Sequence, residues 1–155
     1  MAPVPKLTAT AACRVARIDR DRFNEHVAAG RFPCAPETIP GRARLFDPDD
    51  MISLWLFREL MDDGLDAANA GHIACKVAAA AREAPAAQAI SYVQDQFPKG
   101  GSAISAESVP DPKKWKTSIV GGLSIRKVTT FNVGELREII ALLTEEERSI
   151  IGPED

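Results

Sequence analysis

The chain has 155 residues, 45% of them hydrophobic and 26% charged, with a net charge of −3. That suits one compact domain or two small ones sharing an interface. No apolar run approaches the roughly 18 residues that span a bilayer, and MAPVPKLTA lacks the apolar core of a signal peptide, so no membrane partner and a cytoplasmic location are expected.

Residues 1–6 read as a short Pro-containing arm. Thr8 is an expected N-cap for a first helix, in which Ala11, Ala12, Val15 and Ile18 put small and apolar groups at helical spacing. Ile18-Asp19 reads as a turn ending in a second N-cap. It opens a helix from Arg20 to about Ala29, closed by Gly30. Phe23 and Val27, four apart, face the core, while Arg20, Arg22, Asn24 and His26 fall at the sides or outward. Residues 31–46 carry Pro33, Pro36 and Pro40-Gly41, then Arg42-Ala43-Arg44-Leu45-Phe46. Alternation around the Pro-Gly turn predicts a small hairpin with Arg42 and Arg44 on one face. Asp47 or Asp49, with Pro48, starts a helix whose apolar stripe is Ile52, Trp55, Leu56, Leu60 and Met61, ending at Gly64. Phe23, Phe46 and Trp55 are the expected anchors of this N-terminal core. An Ala-rich helix from Asp66 to about Glu83 stops at Pro85.

Beyond Pro85 the character changes to β-containing sequence. Strands are expected over 89–97, where a short helix is the alternative, and over 103–109, with Pro98-Lys-Gly-Gly-Ser a loop and 110–116 a polar turn holding Trp115. A hairpin or bulge is expected at Gly121-Gly122 within 119–131. Asn132 and Glu135 form a capping pattern for a helix carrying Leu136, Ile139, Ile140 and Leu143. Thr144 and Glu147 repeat the pattern and predict a last short helix. The chain therefore divides into residues 1–83 and 84–155, the second an α+β region ending in an amphipathic helix and expected to serve dimerisation or regulation.

Residues 1–46 hold eight Lys and Arg against four Asp and Glu, whereas residues 47–155 hold eleven against eighteen. A basic end on an acidic remainder fits a polyanion-binding end. In a recognition helix, Arg can pair with guanine and Asn bidentately with adenine, and the helix N-terminus suits a phosphate. A basic hairpin beside it can reach the DNA backbone or minor groove. The candidate DNA-contacting set is Thr8, Arg17, Arg20, Arg22, Asn24, His26, Arg31, Arg42 and Arg44. Asp21 and Glu25, on the same helix, oppose phosphate unless paired.

Residues 7–65 resemble the DNA-binding domain of the MerR family and its smaller excisionase-like relatives. The matching features are Leu7-Thr8, Ala11-Ala12, Ile18-Asp19, Phe23, Gly30, Gly41-Arg42-Ala43-Arg44-Leu45-Phe46, Asp49-Asp50, Leu54 and the 60–65 segment. Asn24, Glu25 and His26 stand where the family usually has an Arg followed by tyrosines. The resemblance implies a helix-rich α+β fold with an N-terminal winged helix-turn-helix. It implies a homodimeric, sequence-specific transcriptional regulator of double-stranded DNA, with the second helix in the major groove and the wing on the backbone. An excisionase-like recombination accessory protein, or an interaction module that has lost DNA binding, are the alternatives. An effector, small molecule or protein, stays open.

Other signals are weaker. His72 and Cys75 would share one helical turn, but a zinc site needs three or four ligands. With two histidines no catalytic arrangement is read, so no enzyme, cofactor or metal is expected. Cys13, Cys34 and Cys75 are far apart and without a CxxC pair, and free thiols are expected. Tyr92, Phe97, Trp115 and Phe131 either line a ligand pocket or are plain core. The terminal stripe through Ile150 and Ile151 covers the sheet or a partner chain.

Overall fold

A computed structural model describes residues 5–38, 40–41, 44–97, 100–116, 119–120 and 123–151. It is an α+β structure with five α-helices and two antiparallel sheets among those residues. A two-residue strand β1 (Leu7–Thr8) leads into α1 (Ala9–Ala16), a turn, α2 (Arg20–Ala28), a long loop, β2 (Leu45–Phe46), α3 (Pro48–Asp62) and α4 (Ala67–Glu83). Then come β3 (Ile90–Asp95), β4 (Gly101–Ser105), two 3₁₀ turns, β5 (Ile119–Val120), β6 (Leu123–Phe131) and α5 (Val133–Ile151).

The helix starts follow side-chain chemistry. Thr8, Asp19 and Asp66 each accept a hydrogen bond from the amide three residues on. Asp47 and Asp50 form a reciprocal capping box, each carboxylate taking the other's amide at 2.8 and 2.9 Å, with Pro48 at the first helical position. Arg82 of α4 reaches across to both carboxylates at 2.8 and 3.1 Å, fastening α4 to the start of α3. Helix α1 ends on Arg17 in the left-handed region, φ 59°. There the Arg17 and Ile18 amides turn back to the Arg14 and Cys13 carbonyls, which closes the helix without glycine.

Strand β2 pairs antiparallel with β1, Leu7 opposite Phe46 and Thr8 opposite Leu45. The expected hairpin across Pro40-Gly41 is thus replaced by a ribbon joining the entry of α1 to the entry of α3. Gly41 keeps the turn conformation, φ +80°, and Arg42-Ala43 lie outside the described residues. The larger sheet has the order β4-β3-β6-β5. Strand β4 begins earlier than expected, at Gly101, where a Cβ would lie 2.4 Å from the Tyr92 hydroxyl. It then gives way to a 3₁₀ turn at 106–108 instead of continuing to 109. Pairing of β5 with β6 brackets Gly121-Gly122, themselves outside the described residues along with Pro98-Lys99 and the first four residues of the arm.

One apolar cluster joins the N-terminal helices to the sheet and α5, running from Leu7 and Phe23 to Ile90, Tyr92, Val133 and Ile140. Its densest part is aromatic. Phe23 meets Phe32 edge-on at 5.4 Å and Phe46 at 5.9 Å, and Phe32 meets Phe57 at 4.9 Å. On α3 the buried apolar side chains are Met51, Ile52, Leu54, Leu56, Phe57 and Leu60, with Ser53 buried beside them. Trp55 is half-buried, its ring under the Arg58 guanidinium at 5.3 Å. The expected stripe was too narrow because α3 packs against α1, α4 and α5 at once. Helix α5 is continuous through Thr144, which is itself buried, so the second capping pattern opens no new helix. Arg14 of α1 and Glu147 of α5 form an ion pair at 2.5 Å.

The cysteine expectation fails at two of three positions. Cys34 and Cys75 form a disulfide with Cα atoms 5.6 Å apart, and Cys13 alone is a free thiol. A sequence separation of 41 hides this pair. The chain brings them together because the backbone after α2 lies directly on α4. A Cβ at Gly71 would sit 1.8 Å from the Arg31 carbonyl oxygen, so only glycine allows the approach.

Candidate nucleic-acid interface

Helix α2 is pinned by one fully buried side chain, Phe23, and presents Asp21, Arg22, Asn24 and Glu25 as exposed groups. The sequence reading of an inward Phe23 and an outward polar face is therefore met. The turn before it is braced from behind. The Arg58 Nε–H donates to the Ala16 carbonyl at the end of α1 at 3.0 Å, and its guanidinium also pairs with Asp62 at 2.9 Å. Sequence reading missed Arg58, because a cation on a helix interior gives no sign that it caps a neighbouring helix.

Around that turn, Arg17, Arg22, His26 and Arg58 line an open cleft of about 520 Å³, and two carboxylates, Asp19 and Asp62, line it with them. Arg17 and Arg22 are exposed and have no carboxylate within ion-pair distance among the described residues. Exposed guanidiniums next to the first turn of α2 are groups of the kind that pair with phosphate oxygens. Arg20, also exposed, is tethered to α1 by a hydrogen bond to the Thr10 hydroxyl. Asn24 is exposed with its amide free of described partners.

The remaining candidates are engaged elsewhere. The Thr8 hydroxyl accepts from the Ala11 amide at 3.3 Å and serves α1. His26 accepts the Arg31 Nε–H on Nδ1 at 2.8 Å, and its ring stands edge-on to Phe57 at 5.2 Å. Burial first, and then the Arg31 charge, lower the His26 pKa from its ordinary 6.5. The pair His26–Arg31 is thus a brace for the exit of α2, made through one nitrogen of each side chain. Arg44 donates to the Pro36 carbonyl, inside its own loop. Arg42 lies outside the described residues.

The other candidates also disperse. Cys75 is bonded to Cys34, so His72 has no thiolate beside it. Tyr92 lines a cleft with His72 and Lys127, whereas Phe131 lines a different one with Trp55 and Leu136. Phe97 is 52% exposed and Trp115 donates its indole N–H to the Pro110 carbonyl at 2.9 Å, so the four aromatics build no common pocket. Neither a protein-family model nor a curated protein matches this chain.

Proposed function

We propose that the chain is a sequence-specific DNA-binding regulator of the winged helix-turn-helix kind that the MerR-like resemblance implies. The observation that carries this reading is α2: one buried anchor, Phe23, holds a helix whose outer face offers Arg22 and Asn24, beside an unpaired Arg17. In this reading Asn24 reaches a base edge in the major groove, and Arg17 and Arg22 take phosphates. The order strand, helix, turn, helix, strand, acid-capped helix supports it, as does the β1–β2 ribbon that seats the loop between α2 and α3.

A homodimer completes the reading, because one such helix spans only a half-site and two linked half-sites gain through effective concentration. Leu142, 62% exposed, and Ile150, 81% exposed, lie on α5 and offer apolar surface for a second copy. A second reading, an interaction module without DNA binding, is favoured by Asp21 and Glu25, exposed on the same helix as Arg22. Selection of bound fragments from a randomised duplex library separates the two. Enrichment of a dyad-symmetric site supports the regulator; no enrichment at low salt supports the interaction module.

A further inference from the structure

Resting on the DNA-binding reading above, we propose that Cys34–Cys75 is a thiol–disulfide switch that sets the order of the loop between α2 and β2, and through it the affinity for DNA. The loop runs from the end of α2 to Leu45. Its first part is held by packing: Phe32 is buried between Phe23 and Phe57, and the Arg31 backbone rests on Gly71. Beyond Phe32 the anchoring thins out. Among the described residues, the stretch 33–41 takes part in one hydrogen bond, from Arg44 to the Pro36 carbonyl, which lies within the loop itself. Ala35 adds a partly buried contact. The disulfide is thus the covalent tie that holds the middle of this loop to α4.

The bond is also reachable. Cys34 and Cys75 are both half-buried, and they line a surface cleft with Asp49, Ser53 and Arg82. Cys13 cannot stand in as an exchange partner, since it is buried and burial pushes its thiol up to about 11. In a reducing compartment a disulfide with this exposure is a reactive bond rather than a permanent staple. A dithiol reductant attacks one sulfur as its thiolate, and the Cys34–Cys75 bond breaks. The second thiol of the reductant then closes its own disulfide and releases the other cysteine. Two electrons and two protons pass to the protein, leaving Cys34 and Cys75 as thiols.

Reduction leaves α2 in place, because Phe23, Phe32 and the His26–Arg31 pair do not depend on the bond. It frees the loop that leads to β2. A freed loop has to be ordered again on binding, so the reduced form binds duplex DNA roughly tenfold more weakly.

The test compares the oxidised chain, the chain reduced with dithiothreitol, and the Cys34→Ser/Cys75→Ser variant, by amide hydrogen exchange and by anisotropy on a selected duplex. The expected result is a rise in exchange on reduction that is larger across 33–38 than the uniform rise that lower global stability brings to α2 and α3. Roughly tenfold weaker duplex binding accompanies it, and the double variant behaves as the reduced form with or without reductant. A rise in the loop no larger than that in the helices overturns the proposal, as does unchanged exchange in the loop. Selective loop release with equal duplex affinity in both forms overturns the coupling to DNA. Loop release with no duplex binding in either form supports the thiol switch and counts against the DNA-binding reading instead.

Discussion

The Nε–H of Arg31 donates to Nδ1 of His26 across 2.8 Å, so the imidazole at the end of α2 must be neutral to keep this bond. Burial and the Arg31 charge both disfavour the imidazolium, which lowers the native pKa from 6.5. The unfolded chain then takes up this proton first as pH falls. Stability from the pair is complete above about pH 6.5 and is lost as pH drops through the depressed native value. His72 moves in the same direction, through burial and Lys76, so the informative comparison is with His26→Gln, which keeps an acceptor and cannot titrate. The parent is expected to lose more melting temperature than the variant between about pH 7 and about pH 5. Equal losses would assign the acid sensitivity to other groups.

Phe23 has no exposed surface and meets both Phe32 and Phe46. Phe23→Ala leaves a cavity at the centre of the aromatic cluster. A loss of about 3–5 kcal/mol in unfolding free energy is expected from urea denaturation. A loss under about 1 kcal/mol would mean that α2 is held by something other than this side chain.

The Cys34–Cys75 bond closes a loop of sequence separation 41. Restricting the unfolded chain over that length contributes about 3–4 kcal/mol. Denaturant unfolding with and without reductant measures it directly. The Cys34→Ser/Cys75→Ser chain should match the reduced parent and show no further response to reductant.

Arg137 of α5 donates to the carbonyls of Ala87, Ala81 and Ala84 at 2.7, 2.8 and 3.3 Å, closing the C-terminal end of α4. Hydrogen bonds from a charged donor contribute about 1.5–3 kcal/mol each at most, and bonds to one guanidinium do not add. Arg137→Met keeps much of the stem and removes the donors. It should cost about 2 kcal/mol, with faster hydrogen exchange at the end of α4 and at the start of β3. Unchanged exchange there would show that the Ala-rich helix needs no cap from α5.

Much of the fold was legible because local chemistry agrees with the tertiary outcome. Thr8, Asp19, Asp47, Asp66 and Asn132 all cap where a side-chain acceptor precedes a helical pattern. Phe23 and Phe46 are buried as their spacing implies. What escaped depends on partners distant in the chain. The β2 ribbon finds its partner at β1 rather than across the nearer Pro-Gly turn. Trp55 yields its core place to Phe57 because α3 is packed on several sides. Thr144 looks like a cap in sequence, yet its burial keeps α5 running. At the candidate interface, Arg22 and Asn24 point outward as periodicity requires, whereas His26, Arg31 and Arg44 are claimed by neighbours that no spacing rule reveals.

The Arg17 and Arg22 guanidiniums, without carboxylate partners among the described residues, decide the DNA-binding reading by whether they meet phosphates. The direct measurement is duplex affinity against salt concentration for the parent and for Arg17→Gln/Arg22→Gln, which keeps side-chain length and removes both charges. The parent should bind random duplex at low salt and lose affinity steeply as salt rises. The double variant should bind every sequence more weakly, with a log–log slope shallower by roughly 2, about one for each lost phosphate contact. A parent that does not bind duplex at low salt, or a double variant with the parent's affinity and slope, would contradict the DNA-binding reading.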